Sequence, residues 1–212
     1  MGALRPPAGR RPQGAALTRL TQGALVAALY LALTMATSFM SFSLIQLRLA
    51  EALTALPALF PSAIMGVFAG CLLANFLNPA SLGLIDSLAG SAVTLVAAWL
   101  TWRLASPWRR QLAGEERGDR SVSRLDRARR LLVPLLPPVL LNALVVGTYL
   151  PFLIRPGQVN PGLILGTMGA IFVSQSLVVL GLGLPLLSAL RKTPWARRVY
   201  LTEFHDGEGR DL

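Results

Sequence analysis

"QLRLAEALTALPALFP", residues 46–61, decides how many times the chain crosses a membrane. It places Arg48 and Glu51 inside an otherwise apolar region, and Pro57 and Pro61 follow within ten residues of Glu51. The surrounding segments carry no charge at all between Arg19 and Arg48, or over 52–85, 87–102, 131–154 and 156–190. A soluble domain mixes apolar and charged residues, whereas this chain separates them. About 20 apolar residues rising 1.5 Å each cross a hydrocarbon core roughly 30 Å thick. The class is therefore an all-α, polytopic membrane protein. The runs lack the period-two alternation of a membrane barrel.

Four segments read directly as spans, at about 20–44, 83–104, 131–153 and 162–190. The stretch 48–78 is too long for one ordinary helix. Proline removes an amide donor and clashes with the preceding turn, so a break is expected near 57–61. Two short helices result, about 47–59 and 62–78, the second ending at Asn78-Pro79.

Charge then counts the crossings. Residues 1–20 hold four arginines and no acid. Residues 103–130 hold nine arginines against four acids, and the tail from 191 holds five basic residues. Basic loops stay on the cytoplasmic side. If all three regions are cytoplasmic, an even number of crossings separates each pair, and 48–78 must cross twice. The expectation is six transmembrane helices with both termini cytoplasmic. It comprises an N-terminal tail (1–19), a membrane domain (20–192) with a cytoplasmic loop (105–130), and a C-terminal tail (193–212). The mixed-charge part of that loop, 109–130, reads as a solvated linker.

The net charge of +10 belongs to these flanks rather than to a nucleic-acid surface. The lone Cys71 rules out an internal disulfide, and neither metal-ligand nor cofactor motifs occur. No cofactor and no metal are expected, and no nucleophile–base pair points to an enzyme. The run from Thr21 to Leu47 exceeds the 7–15 residues typical of a cleavable leader core. "MGALRP" carries Pro6 where myristoylation wants Ser or Thr.

Ionisable groups in spans cost about 2.5–3.5 kcal/mol on insertion scales, and they usually face a cavity or each other. Arg48 and Glu51 stand three apart, so a helix brings them to one face. Spacing alone allows either a self-satisfied pair or a polar binding wall. Asp86 opens a helix, where it can cap the macrodipole or face a ligand. Asn75, Asn142 and Gln175 can equally bond between helices or to a ligand. Converging from several helices, this set favours a small polar ligand. In the first span Ala24, Ala28, Ala32 and Ala36 recur every four residues, a small-residue stripe that permits close helix approach. Gly66 and Gly70 form a similar patch, read as internal packing.

"RLAEALTALP", "GVFAGCLLANFL", "LIDSLAGSAVTLVAAWLT", "PPVLLNALVVG" and "LGLPLLSALRK" together resemble the QueT family over about 20–192. The resemblance implies a substrate-binding S component of an energy-coupling factor (ECF) transporter, with six helices, importing a 7-deazaguanine precursor of queuosine such as preQ1 or queuine. It implies partners: a membrane coupling subunit, docked through Ala24, Ala28 and Ala32, and two cytoplasmic ATPases. It implies a cell-membrane location and carries Arg48, Glu51, Asn75, Asp86 and Asn142 over as substrate contacts. Where the family tends to show Gly-Glu before the last "LGLPL", this chain has Ser174-Gln175, and Gln175 offers a neutral acceptor. Alternatives are an S component for another vitamin-like ligand, or a stand-alone carrier. The carrier would call for a second, matching broken half, and none is visible.

Overall fold

The computed structural model describes residues 11–38, 48–78, 82–116, 122–194 and 196. The outer parts of both tails, the end of the first expected span (39–44) and the middle of the expected loop lie outside the described residues. Every described element is helical. Helix α1 is Arg11–Ala36, so helix begins within the basic tail. A 3-10 helix, Leu49–Ala58, follows. Then come α2 (Ser62–Leu77), α3 (Leu84–Leu104) and α4 (Ser106–Glu116). The last two are long: α5 (Arg124–Ile154) and α6 (Pro161–Leu190).

Among the described residues, four helical stretches are long and apolar enough to cross a membrane: Ala16–Ala36, Leu84–Leu104, Arg124–Ile154 and Pro161–Leu190. They coincide with the four spans read directly from the sequence. Their outer faces, and that of α2, carry large apolar side chains such as Leu25, Phe76, Leu165 and Leu177, each more than half exposed. In water such continuous apolar surface would be an interaction or aggregation site. In a bilayer it meets lipid.

The break expected near 57–61 is present, because the 3-10 helix ends at Ala58 and α2 starts at Ser62. The segment before it, however, is wound as 3-10 rather than α. Its ten residues form an unusually long run for that geometry, which rises about 2.0 Å per residue and so reaches about 20 Å. Nine of the ten are buried, from Ala50 to Ala58. The element threads the interior, between α1, α2, α3 and the Val179–Gly183 turn within α6.

Helix α1 lies at the edge and packs mainly on α2. Gly66 and Gly70 explain how close the two helices come. A Cβ on Gly66 would meet the Gly23 carbonyl at 2.7 Å, and one on Gly70 would meet Tyr30 Cβ at 2.6 Å. The internal-packing reading of these glycines holds.

The expected loop 105–130, including the start of the 109–130 stretch expected as a solvated linker, is instead partly packed. Ala105, Trp108, Leu112 and Ala113 are buried in the core, and so is Arg109. Spacings of three and four put Ala105, Trp108 and Leu112 on one helical face. Arg109 donates from Nη1 to the carbonyls of Ala58 (3.1 Å) and Trp102 (2.8 Å), and its guanidinium lies 5.4 Å from the Trp102 ring centre. Thus α4 clamps the far end of the 3-10 helix. Among the described residues, Arg110 and the first turns of α5, through Arg130, keep the exposed or half-buried, arginine-rich character expected of the linker.

Candidate ligand-binding site

The near end of the 3-10 helix forms the site. Arg48 is its N-cap, with extended backbone (φ −89°, ψ 99°), and Glu51 lies in its first turn. Three residues per turn bring positions 48 and 51 into line. Both side chains line one internal cavity, with Asp86, Gly90 and Thr94 from α3, Asn142, Val146 and Tyr149 from α5, and Ile171 and Gln175 from α6. Five of the six residues expected to bind substrate therefore meet at one place. Asn75 is the exception. It sits just behind the wall, its Nδ2 3.6 Å from where a Cβ on Gly90 would lie and 3.7 Å from Cys71 Sγ.

The backbone loosens where the site is built. Asn142 opens a π turn, Asn142–Val146, and its Nδ2 donates to the Pro138 carbonyl at 2.9 Å. Helix α6 has a second π turn, Val179–Gly183, one turn beyond Gln175. Single π turns widen a helix locally and often occur at functional positions. Here the first carries Asn142 and Val146 into the cavity.

Two phenol–carboxylate pairs organise the charges. Tyr30 donates to Glu51 Oε1 at 2.5 Å, and Tyr149 donates to Asp86 Oδ1 at 2.8 Å. Asp86 is thus more than a helix cap, since a side chain from α5 reaches it. Thr94 Oγ1 lies within hydrogen-bonding reach of its own helix at the Gly90 carbonyl (3.1 Å) and of Cys71 Sγ (3.5 Å), with one proton to share between them. In and behind the site, three buried acceptors have no hydrogen-bond partner among the described residues: Glu51 Oε2, Gln175 Oε1 and Asn75 Oδ1. Leaving such a group unpaired costs about 1–3 kcal/mol, more when charged. Two of the three belong to residues that line the cavity.

The cavity is small. The space among its lining residues is about 320 Å³, including the part open to the surface. Its enclosed part leaves roughly the room for one water molecule.

Sequence reasoning missed Tyr30, Thr94 and Tyr149. A signal existed, because a tyrosine hydroxyl inside an apolar span needs a partner, and Tyr30 is the one aromatic of α1. The alanine stripe lies elsewhere. Ala24, Ala28, Ala32 and Ala36 are all exposed, on the face of α1 turned away from α2.

These features define a class: a helical membrane protein with a polar pocket enclosed by its helices. Residues 20–192 match the family described as QueT transporter, and the chain belongs to that family. No curated protein and no solved structure matches the chain.

Proposed function

We propose that this chain is the substrate-binding S component of an ECF-type transporter, and that it imports a queuosine precursor of the 7-deazaguanine type. The observation carrying this reading is the meeting of Arg48, Glu51, Asp86, Asn142 and Gln175 in one cavity, with Glu51 Oε2 and Gln175 Oε1 unpartnered among the described residues. A deazaguanine presents a ring N–H beside an exocyclic amine. One carboxylate accepts both, and charge-assisted bonds of this kind are the strong ones. Glu51 is that acceptor, and Arg48 offsets its charge. Asp86 supplies a second carboxylate, leaving two acids against one arginine, a balance that favours a ligand bearing a positive charge. Gln175 accepts one further donor.

The chain crosses the membrane six times, with both termini and the 105–130 region on the cytoplasmic side. The 3-10 helix at about 20 Å and α2 at about 24 Å are short for a bilayer. Burial of the first inside the protein supports its crossing, because lipid excludes only backbone that it touches. Ligand enters from outside into the small cavity, which opens to admit it. The outward alanines Ala24, Ala28 and Ala32 form the docking face for a coupling subunit, which brings two cytoplasmic ATPases. This assembly resides in the cell membrane, and ATP hydrolysis by those partners drives release inside.

Calorimetric titration of the purified protein tests the reading. Wild type binds 7-aminomethyl-7-deazaguanine, and Glu51→Gln weakens it about ten- to hundredfold, the loss of about 1.5–3 kcal/mol for a bond to a charged group. Unchanged affinity in folded Glu51→Gln protein would move the acceptor role to Asp86. No binding of any deazaguanine by wild type, in a protein that still co-purifies with coupling subunit and ATPases, would favour an S component for another vitamin-like ligand.

A further inference from the structure

Tyr30 stands apart from the other site residues. It comes from α1, whose remaining described side chains contribute nothing to the cavity, and it does not itself line that cavity. Its side chain is fully buried, and its Cβ fills the notch left by Gly70. Its hydroxyl has one proton and gives it to Glu51 Oε1 at 2.5 Å, at the short end of the charge-assisted range. The other carboxylate oxygen, Oε2, is buried and has no hydrogen-bond partner among the described residues. One oxygen is thus tied to the scaffold while the other is left for something else. The second phenol–carboxylate pair differs, because Tyr149 lines the cavity and can meet a ligand directly.

We infer that Tyr30 is a positioning residue for ligand recognition: it holds Glu51 Oε1 so that the carboxylate edge, with Oε2 unpartnered and one lone pair left on Oε1, is presented to the ligand's two donors. The inference rests on the reading of Glu51 as ligand acceptor. A free glutamate side chain has several rotamers and two equivalent oxygens. Binding to it must first select one arrangement, an entropic cost that a preset carboxylate avoids. Because Tyr30 is screened from the cavity, its whole effect on affinity passes through Glu51.

That routing makes a double-mutant cycle decisive. Titration of the full chain with 7-aminomethyl-7-deazaguanine is run on wild type, Tyr30→Phe, Glu51→Gln and the double variant. Tyr30→Phe alone is expected to weaken binding about tenfold, within the range for contacting residues. In the Glu51→Gln background the same change is expected to matter less than about twofold, within the error of additivity. A merely structural role would lower affinity by the same factor in both backgrounds, and that result overturns the inference. So does wild-type affinity in Tyr30→Phe when Glu51→Gln is weak, an outcome that leaves the Glu51 reading intact. Wild-type affinity in Glu51→Gln removes both. If Tyr30→Phe does not fold, replacement of Tyr30 by 3-fluorotyrosine keeps the shape and the donor. Its fluorine resonance is expected to move on ligand addition in the Glu51 protein and to stay fixed in Glu51→Gln; no movement in the former refutes the inference.

Discussion

Gly70→Ala is the most telling single change for the fold. The added methyl would lie 2.6 Å from Tyr30 Cβ, 2.9 Å from the Ala27 carbonyl oxygen and 3.1 Å from Ala27 Cα. Carbon atoms rest about 3.5–4.0 Å apart, so α1 must retreat by about 1 Å at this level. Two of the three obstructing atoms are backbone, which no rotamer change can move aside. Overpacking of this kind costs about 1–3 kcal/mol. The same retreat would stretch the 2.5 Å bond from Tyr30 to Glu51 toward the limit of hydrogen bonding. Stability and ligand affinity should therefore fall together. Cys71 supplies the assay, being the sole cysteine and only 1% exposed. A fluorogenic maleimide should label it only as the bundle opens on heating. Gly166→Ala and Gly169→Ala serve as controls, since a Cβ at either meets nothing within 4 Å. Alanine is favoured over glycine in a helix interior by roughly 0.5–1 kcal/mol, so both should open at the wild-type temperature or slightly above. If Gly70→Ala opens no earlier than these controls, the tight α1–α2 contact is refuted.

Three other outcomes are expected. Ser123→Cys in a Cys71→Ala background puts a thiol at an exposed position just before α5; it should resist impermeant reagents on intact right-side-out cells, and ready labelling would overturn the cytoplasmic placement of this region. Ala28→Trp or Ala32→Trp should block assembly with a coupling subunit while leaving ligand binding by the isolated protein intact, because both side chains are exposed and away from the cavity; normal assembly and uptake would remove α1 as the docking face. Arg109→Ala should lower the temperature of Cys71 exposure, since bonds from a charged donor to the Ala58 and Trp102 carbonyls are worth about 1.5–3 kcal/mol each. An unchanged temperature would mean that the clamp on the 3-10 helix contributes nothing.

The long spans were legible because lipid demands uninterrupted apolar sequence, and that demand leaves a strong trace. Arg48, Glu51, Asp86, Asn142 and Gln175 were legible for the converse reason, as polar residues where polarity is costly. Tyr30, Thr94 and Tyr149 escaped notice because their apolar bodies blend into a span, and only their partners across 21, 23 and 63 residues reveal a role. Asn75 looked like the other polar residues, but only its register on α2 sets it behind Gly90 rather than beside the cavity. Helix α4 was hidden by composition. Its arginines suggested solvent, yet one of them, Arg109, is a buried clamp that takes its carbonyl partners from two other elements. The 3-10 winding of Leu49–Ala58 was beyond reach, because the same residues suit an α-helix and the difference arises from what surrounds them.

The enclosure of Leu49–Ala58 also bears on how the protein is made. A segment leaving the ribosome is sorted by whether it prefers lipid to the interior of the translocation channel. This one carries an arginine at its entrance, a glutamate in its first turn and a proline near its end, and it finishes with almost no surface toward lipid. Its final neighbours include the π turn at Val179–Gly183, more than a hundred residues downstream. It cannot settle when it is synthesised. Its native neighbours are complete only once the last helix is made, so the cavity-lining Arg48 and Glu51 are among the earliest residues synthesised and the last enclosed.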